Sequence, residues 1–162
     1  MDLSNLWENK YILWLGAVAG VVGLWWMIAT QKEWPPFGNE QVVPNLVIKV
    51  PSAGFMVTGD LHVTAAGAGP DGGVVWFVGR SASNKWFPLQ SGSWNGSAKN
   101  WSAVISRRQI VADFSLCPVL TNSAGADSLD EDLGMEEVQS GGLDELPDGS
   151  RHGMCIPLKN GS

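Results

Sequence analysis

VVWFVGR, residues 74–80, decides how the longer part of the chain is read. Five apolar residues rich in valine and aromatics lie between the turn-forming AGPDGG, residues 68–73, and the polar SASNK, residues 81–85. A short apolar run bounded by such punctuation reads as a β-strand. The pair Asp71-Gly72 predicts a hairpin joining it to the strand before.

The same texture extends in both directions. Upstream are NLVIKV, residues 45–50, and FMVTGDLHVTAAG, residues 55–67, where apolar positions alternate with small or polar ones. Downstream come WFPLQ (86–90), the glycine- and serine-rich SGSWNGSAKN (91–100), WSAVISR (101–107), IVADFSLCPVLT (110–121) and finally HGMCIPLK (152–159). About seven short strands at this spacing predict an all-β antiparallel sandwich over residues 46–159 rather than a doubly wound sheet. GADSLDEDLGMEEVQ, residues 125–139, interrupts the rhythm and predicts one short acidic surface helix. Its carboxylates lack the alternating oxygen ligands and central glycine of an EF-hand loop, so a solvated helix face is expected.

Four tryptophans fall in this domain. Trp76, inside its apolar run, and Trp101, at the start of a strand, are expected in the core. Trp86, Phe87 and Trp94 flank loops, and are candidates for an exposed partner surface, unless they fill a small sandwich instead. Cys117 and Cys155 fall in the last two apolar strands. They are compatible with one cross-strand disulfide, which would imply an oxidising compartment, or with two buried thiols.

The amino-terminal fifth is unlike the rest. YILWLGAVAGVVGLWWMIAT, residues 11–30, carries no charge, and Ile12 to Ala29 would rise about 27 Å as a helix, near the roughly 30 Å of a bilayer's hydrocarbon core. Trp7, Tyr11 and Trp14 gather at one end and Trp25, Trp26 and Trp34 at the other, where amphipathic rings favour headgroup level. A cleaved signal peptide fits less well, because the head (residues 1–10) carries Asp2 and Glu8 against Lys10 and bulky residues precede any cleavage point. A retained single transmembrane helix over 11–30 is therefore expected, followed by a proline-containing linker over 31–45. Gly16, Gly20 and Gly23 offer a small-residue stripe for packing against another helix, although glycine is also simply frequent in membrane helices. The Lys/Arg count is almost tied across the span. A short head before a long domain favours the amino terminus inside, which would put the β-domain on the periplasmic or extracellular side.

Composition excludes more than it assigns. The chain's 162 residues carry a net charge of −6, with eight Lys/Arg against thirteen Asp/Glu from Pro35 onward, which argues against a nucleic-acid partner. Only His62 and His152 are present, with no carboxylate motif beside them beyond Asp60 on the His62 strand. No Gly-x-Ser-x-Gly elbow, dinucleotide fingerprint or Walker sequence occurs. The apolar segment contains no histidine, so neither an enzyme nor a bound cofactor is expected. Asn95, Asn100 and Asn160 begin glycosylation sequons, at a frequency that a serine- and asparagine-rich chain produces by chance.

In their order, VVWFVGR, KWFPLQ, NWSAVI, DFSLCPVL, ELPDG and the closing HGMCIPLK resemble a family of bacterial Ig-like β-sandwich modules found as accessory domains in membrane and multidomain proteins. The resemblance covers about residues 45–159, leaving 160–162 as a tail. Trp86-Phe87-Pro88-Leu89-Gln90 departs from that family's tyrosine-proline-glutamine by one inserted residue. The resemblance implies a binding or spacer domain and no catalytic residue. The expected role is an accessory or scaffolding subunit of a larger membrane complex, such as a photosynthetic or respiratory one, with other transmembrane subunits and the bilayer as partners. The alternative is a membrane-tethered surface module binding a carbohydrate or a soluble protein.

Overall fold

The structure is a computed structural model that describes residues 42–161. The chain divides into two compact units, Met1–Asn39 and Glu40–Ser162. The expected anchor, with Gly16, Gly20, Gly23 and the aromatic residues Trp7, Tyr11, Trp14, Trp25, Trp26 and Trp34, lies outside the described residues. Among those that are described, no helix is long and apolar enough to cross a membrane.

Among the described residues, ten strands and two α-helices follow in order: β1 (Val42–Val50), β2 (Met56–Val57), β3 (Leu61–Ala66), β4 (Val74–Arg80), β5 (Trp86–Ser91), β6 (Ser93–Asn95), β7 (Asn100–Ile105), β8 (Phe114–Thr121), α1 (Ser123–Leu133), α2 (Glu136–Gly141), β9 (Arg151–Met154) and β10 (Ile156–Asn160). The count exceeds the expected seven because β2 and β6 are fragments and the last apolar run breaks at Cys155 into β9 and β10. β8 is the hub. One of its edges pairs with β4 along its length, and β4 continues to β5. Its other edge is shared by β10 and β9. From β9 the sheet continues through β1, β3 and β7 to β6 without closing.

Two halves of this sheet face each other over one core. Val75 and Phe77 of β4 and Leu116 and Leu120 of β8 meet Leu46, Val63, Trp101 and Ile105 of the β1–β3–β7 half. On the outer face of the first half, Trp76, Val78, Cys117 and Val119 pack beneath Leu129 of α1. β4 is thus buried on both faces, which is why it reads as a continuous apolar run, whereas β3 buries Leu61, Val63 and Ala65 and exposes His62.

Several expectations fail for identifiable reasons. Asp71-Gly72 makes no hairpin: residues 70–72 form a single 3-10 turn, and the chain crosses there from β3 in one half to β4 in the other. Most pairings are antiparallel as expected, yet β1–β9 and β2–β10 are parallel, as the long connections between their members permit. The first strand begins at Val42, inside the expected linker. It tolerates Pro44 because β1 takes five steps from Val42 to Val47 while β9 takes two from His152 to Met154. This bulge needs no N–H from proline. It brings the chain so close to Gly153 that any Cβ there would lie 2.1 Å from the Leu46 carbonyl oxygen. The expected acidic helix is two, because Gly134 ends α1. Asn122 caps α1 through a 2.8 Å bond from the Gly125 N–H. The expected tail is partly structural, since Asn160 ends β10 and the Gly161 N–H donates to the Val57 carbonyl at 3.0 Å.

Candidate functional site

An open cleft of about 350 Å³ lies where β4 ends and β5 and β8 begin. This volume is at the small end of the ligand-pocket range of about 300–1,000 Å³. Three segments distant in sequence build it: Gly79, Phe87 and Leu89 from the β4–β5 hairpin, Arg108, Val111 and Phe114 from the loop into β8, and Leu133 and Gln139 from the helices. Since β1 and β4 run in the same direction, the cleft is at the end of the domain opposite Val42.

Local rules explain its shape. A Cβ on Gly79 would lie 3.1 Å from the Phe114 ring and 3.6 Å from Leu89, so glycine leaves the floor open within an otherwise bulky strand. The β4–β5 register shifts between the Phe77–Gln90 and Val78–Pro88 pairs, which makes Leu89 the extra residue of a β-bulge. This extra residue, Leu89, is directed into the core.

The loop wall is braced from several sides. Ser106 and Gln109 form a capping box around the 3-10 turn at 107–109, and the Gln109 amide also donates to the Leu89 carbonyl at 2.8 Å. The Arg107 guanidinium donates to the carbonyls of Ile110 and, at 2.9 Å, Gly161, and to the side-chain oxygen of Asn160. Asp113 accepts the Asn160 N–H at 2.7 Å. These bonds bury Ile110 and leave Val111 81% exposed at the rim. On the opposite wall, the Gln139 amide donates to the Leu133 carbonyl at 3.0 Å, tying α2 to the end of α1.

Trp86, Phe87 and Trp94 do not share one face. Trp86 is buried at 4% exposure, with the Arg80 guanidinium 4.7 Å from its ring and the His152 ring centroid 5.5 Å away. Its side chain packs under the helices because strand alternation turns it to the outer face. Phe87 points the other way and lines the cleft. Trp94 is half-buried against Trp101 at 5.3 Å, at the end of the sheet away from the cleft. Trp76 and Trp101 are core residues, as their strands predict.

Cys117 of β8 and Cys155, between β9 and β10, form a disulfide with Cα atoms 4.2 Å apart. Its 38-residue loop contains both helices, so it braces the cleft's helical wall from below. The Asp60 carboxylate turns to the Arg107 N–H, at 2.9 Å, rather than to His62. Among the described residues, no group of three or more His, Cys, Asp or Glu is placed to hold a metal ion. The Asn95 side chain accepts the N–H groups of Ser97 and Ala98 and shapes the β6–β7 turn.

The bracing residues Arg107, Gln109 and Gln139 are not evident from sequence patterning. One signal was present: Ser106-Arg-Arg-Gln109 is a capping-box spacing, which locates the turn but not its partners. Comparison of the chain with protein-family models, curated proteins and solved structures finds no match.

Proposed function

We propose that the chain is a non-catalytic accessory subunit of a membrane complex. Residues 11–30 form its anchor, and the Ig-like β-domain docks on an extramembrane face of a partner protein. The observation that carries this reading is the cleft, an apolar hollow held open by Gly79 and braced by side-chain bonds on both walls. Such bracing lowers the ordering cost of binding. The Cys117–Cys155 disulfide supports an oxidising, extracytoplasmic location for the domain. The uncharged, tryptophan-flanked run and its Gly16-x-x-x-Gly20 spacing support packing among other transmembrane helices.

Native mass spectrometry of the chain purified from its own membrane in mild detergent tests the proposal. A stoichiometric partner is expected, and Gly16→Leu with Gly20→Leu should release it. A lone monomer would overturn the reading. A second reading, a tethered module binding a soluble protein, uses the same cleft, whose described lining residues come from the β-domain. It requires the Gly16 and Gly20 substitutions to be harmless and the fragment from residue 36 to bind alone. Carbohydrate as ligand is less well supported, because Trp86 is buried and Trp94 is half-buried in a tilted contact with Trp101.

A further inference from the structure

We infer that the cleft receives a basic amphipathic segment of a partner protein, with an apolar side chain in the hollow and lysine or arginine residues over its helical wall. The inference rests on the reading of the cleft as a docking site and assigns the chemistry of what docks.

The apolar half of the assignment follows from the lining. Phe87, Leu89, Phe114 and Leu133 offer no hydrogen-bonding side-chain groups, and the exposed Val111 extends the apolar surface to the rim. Met135, 42% exposed between α1 and α2, lies two residues beyond Leu133 and continues it on the other side.

The basic half follows from an asymmetry between the walls. On the loop wall Arg108 and Asp113 both line the cleft, and their charges offset each other. The segment that forms the helical wall carries an excess of carboxylates. Residues 114–150 contain nine Asp/Glu and no Lys or Arg, and Asp130, Glu131 and Glu136 are exposed on the two helices that supply Leu133 and Gln139. Lys85 pairs with Asp144 and Arg80 stands over Trp86, two cations against nine carboxylates. A ligand entering between these walls meets a negative potential on one side, which attracts cations and repels a second acidic surface.

The mode of docking is also constrained. The outer edge of β5 is not available for strand addition: Trp86 exchanges both backbone bonds with Leu143, Pro88 has no N–H, and the Leu89 carbonyl is held by Gln109. The partner is therefore recognised through side chains, by an anchor residue and its flanking charges.

The test uses the full-length chain in phosphatidylcholine nanodiscs and a fluorescent peptide alternating lysine and leucine, with anisotropy corrected for binding to empty nanodiscs. Replacing the peptide's lysines by glutamate should weaken binding by about tenfold or more, and so should Asp130→Lys with Glu131→Lys and Glu136→Lys in the protein. Val111→Arg, at a site too exposed to affect folding, should weaken it about fivefold. Equal binding of the glutamate peptide, or unchanged affinity in the charge-reversed protein, would overturn the inference. A stoichiometric partner in native mass spectrometry combined with no charge preference for the peptide sinks this assignment and leaves the accessory-subunit reading standing. Charge-selective binding by a chain that is a lone monomer in its membrane does the reverse.

Discussion

The two faces of β4 and β8 are built of different materials. Their inner face, with Val75, Phe77, Leu116 and Leu120, meets a second layer of strands brought from far along the chain. In that second layer the Trp101 N–H reaches the Ala68 carbonyl at 2.7 Å. Their outer face is covered by the segment following β8, folded back locally as α1 and α2 and secured by the Cys117–Cys155 bond. Here Trp86 lies beside Arg80 and His152, and the buried Trp76 N–H has no hydrogen-bond partner among the described residues. The inner core joins non-local strands and so sets global stability. The outer core attaches a local flap that carries one wall of the cleft, and this flap is expected to open before the rest.

Phe77→Ala tests the first half of that contrast with the largest effect. Phe77 is fully buried between the sheet halves, so truncation should cost about 3–5 kcal/mol. The loss should appear in urea denaturation as a single transition, with every strand losing hydrogen-exchange protection together. Protection lost only near β4 would show that the two halves are not one cooperative unit.

Removing the disulfide should separate the two regions. Cys117→Ala with Cys155→Ala frees a 38-residue loop and should cost roughly 2–4 kcal/mol, a figure set by chain entropy. Exchange should rise first in α1 and α2 while β3 and β7 keep their protection. Uniform loosening of both would remove the distinction between core and flap.

Arg107→Ala addresses the opposite wall of the cleft. It deletes the bonds to Ile110, Asn160 and Gly161, and water can replace part of what is lost at this half-exposed site. A cost of about 1–2 kcal/mol is expected, with faster exchange confined to the loop into β8 and the end of β10. Protection in the helices should not change.

The contrast between the two faces also explains how much of the molecule was legible in the sequence. Alternation in LHVTAA gave away β3 because one face of that strand is solvated, and the apolar runs marked β4 and β8 as strands. Those runs did not show which residue faced which core, because a strand buried twice loses its period. For that reason the sequence leaves Trp86 open between a partner surface and the core, and it lies under the helices. The Asp71-Gly72 hairpin failed because a turn signal states that the chain reverses, not which strand it will pair with. The cleft was invisible as a unit, since Gly79, Val111 and Leu133 converge only once the sheet has folded over and the helices have returned. The acidic run was legible from the start, but its meaning depends on the apolar hollow beside it.

Trp76→Phe is the smallest change and the sharpest test of the outer core's character. Trp76 is 2% exposed, and its indole N–H is buried without a partner among the described residues, a state that costs about 1–3 kcal/mol relative to a satisfied donor. Phenylalanine removes that donor but also leaves the volume of the lost ring atoms, a cavity term of about the same size. The two nearly cancel, and the net change should lie within about 1 kcal/mol of zero, against the several expected for an aromatic truncation in the inner core. If the variant instead loses as much as Phe77→Ala, the indole N–H has a partner in the folded chain and the outer core is as closely satisfied as the inner. If it is neutral or stabilised, the space under α1 tolerates repacking, as expected of a flap that is laid onto the sheet and held there covalently.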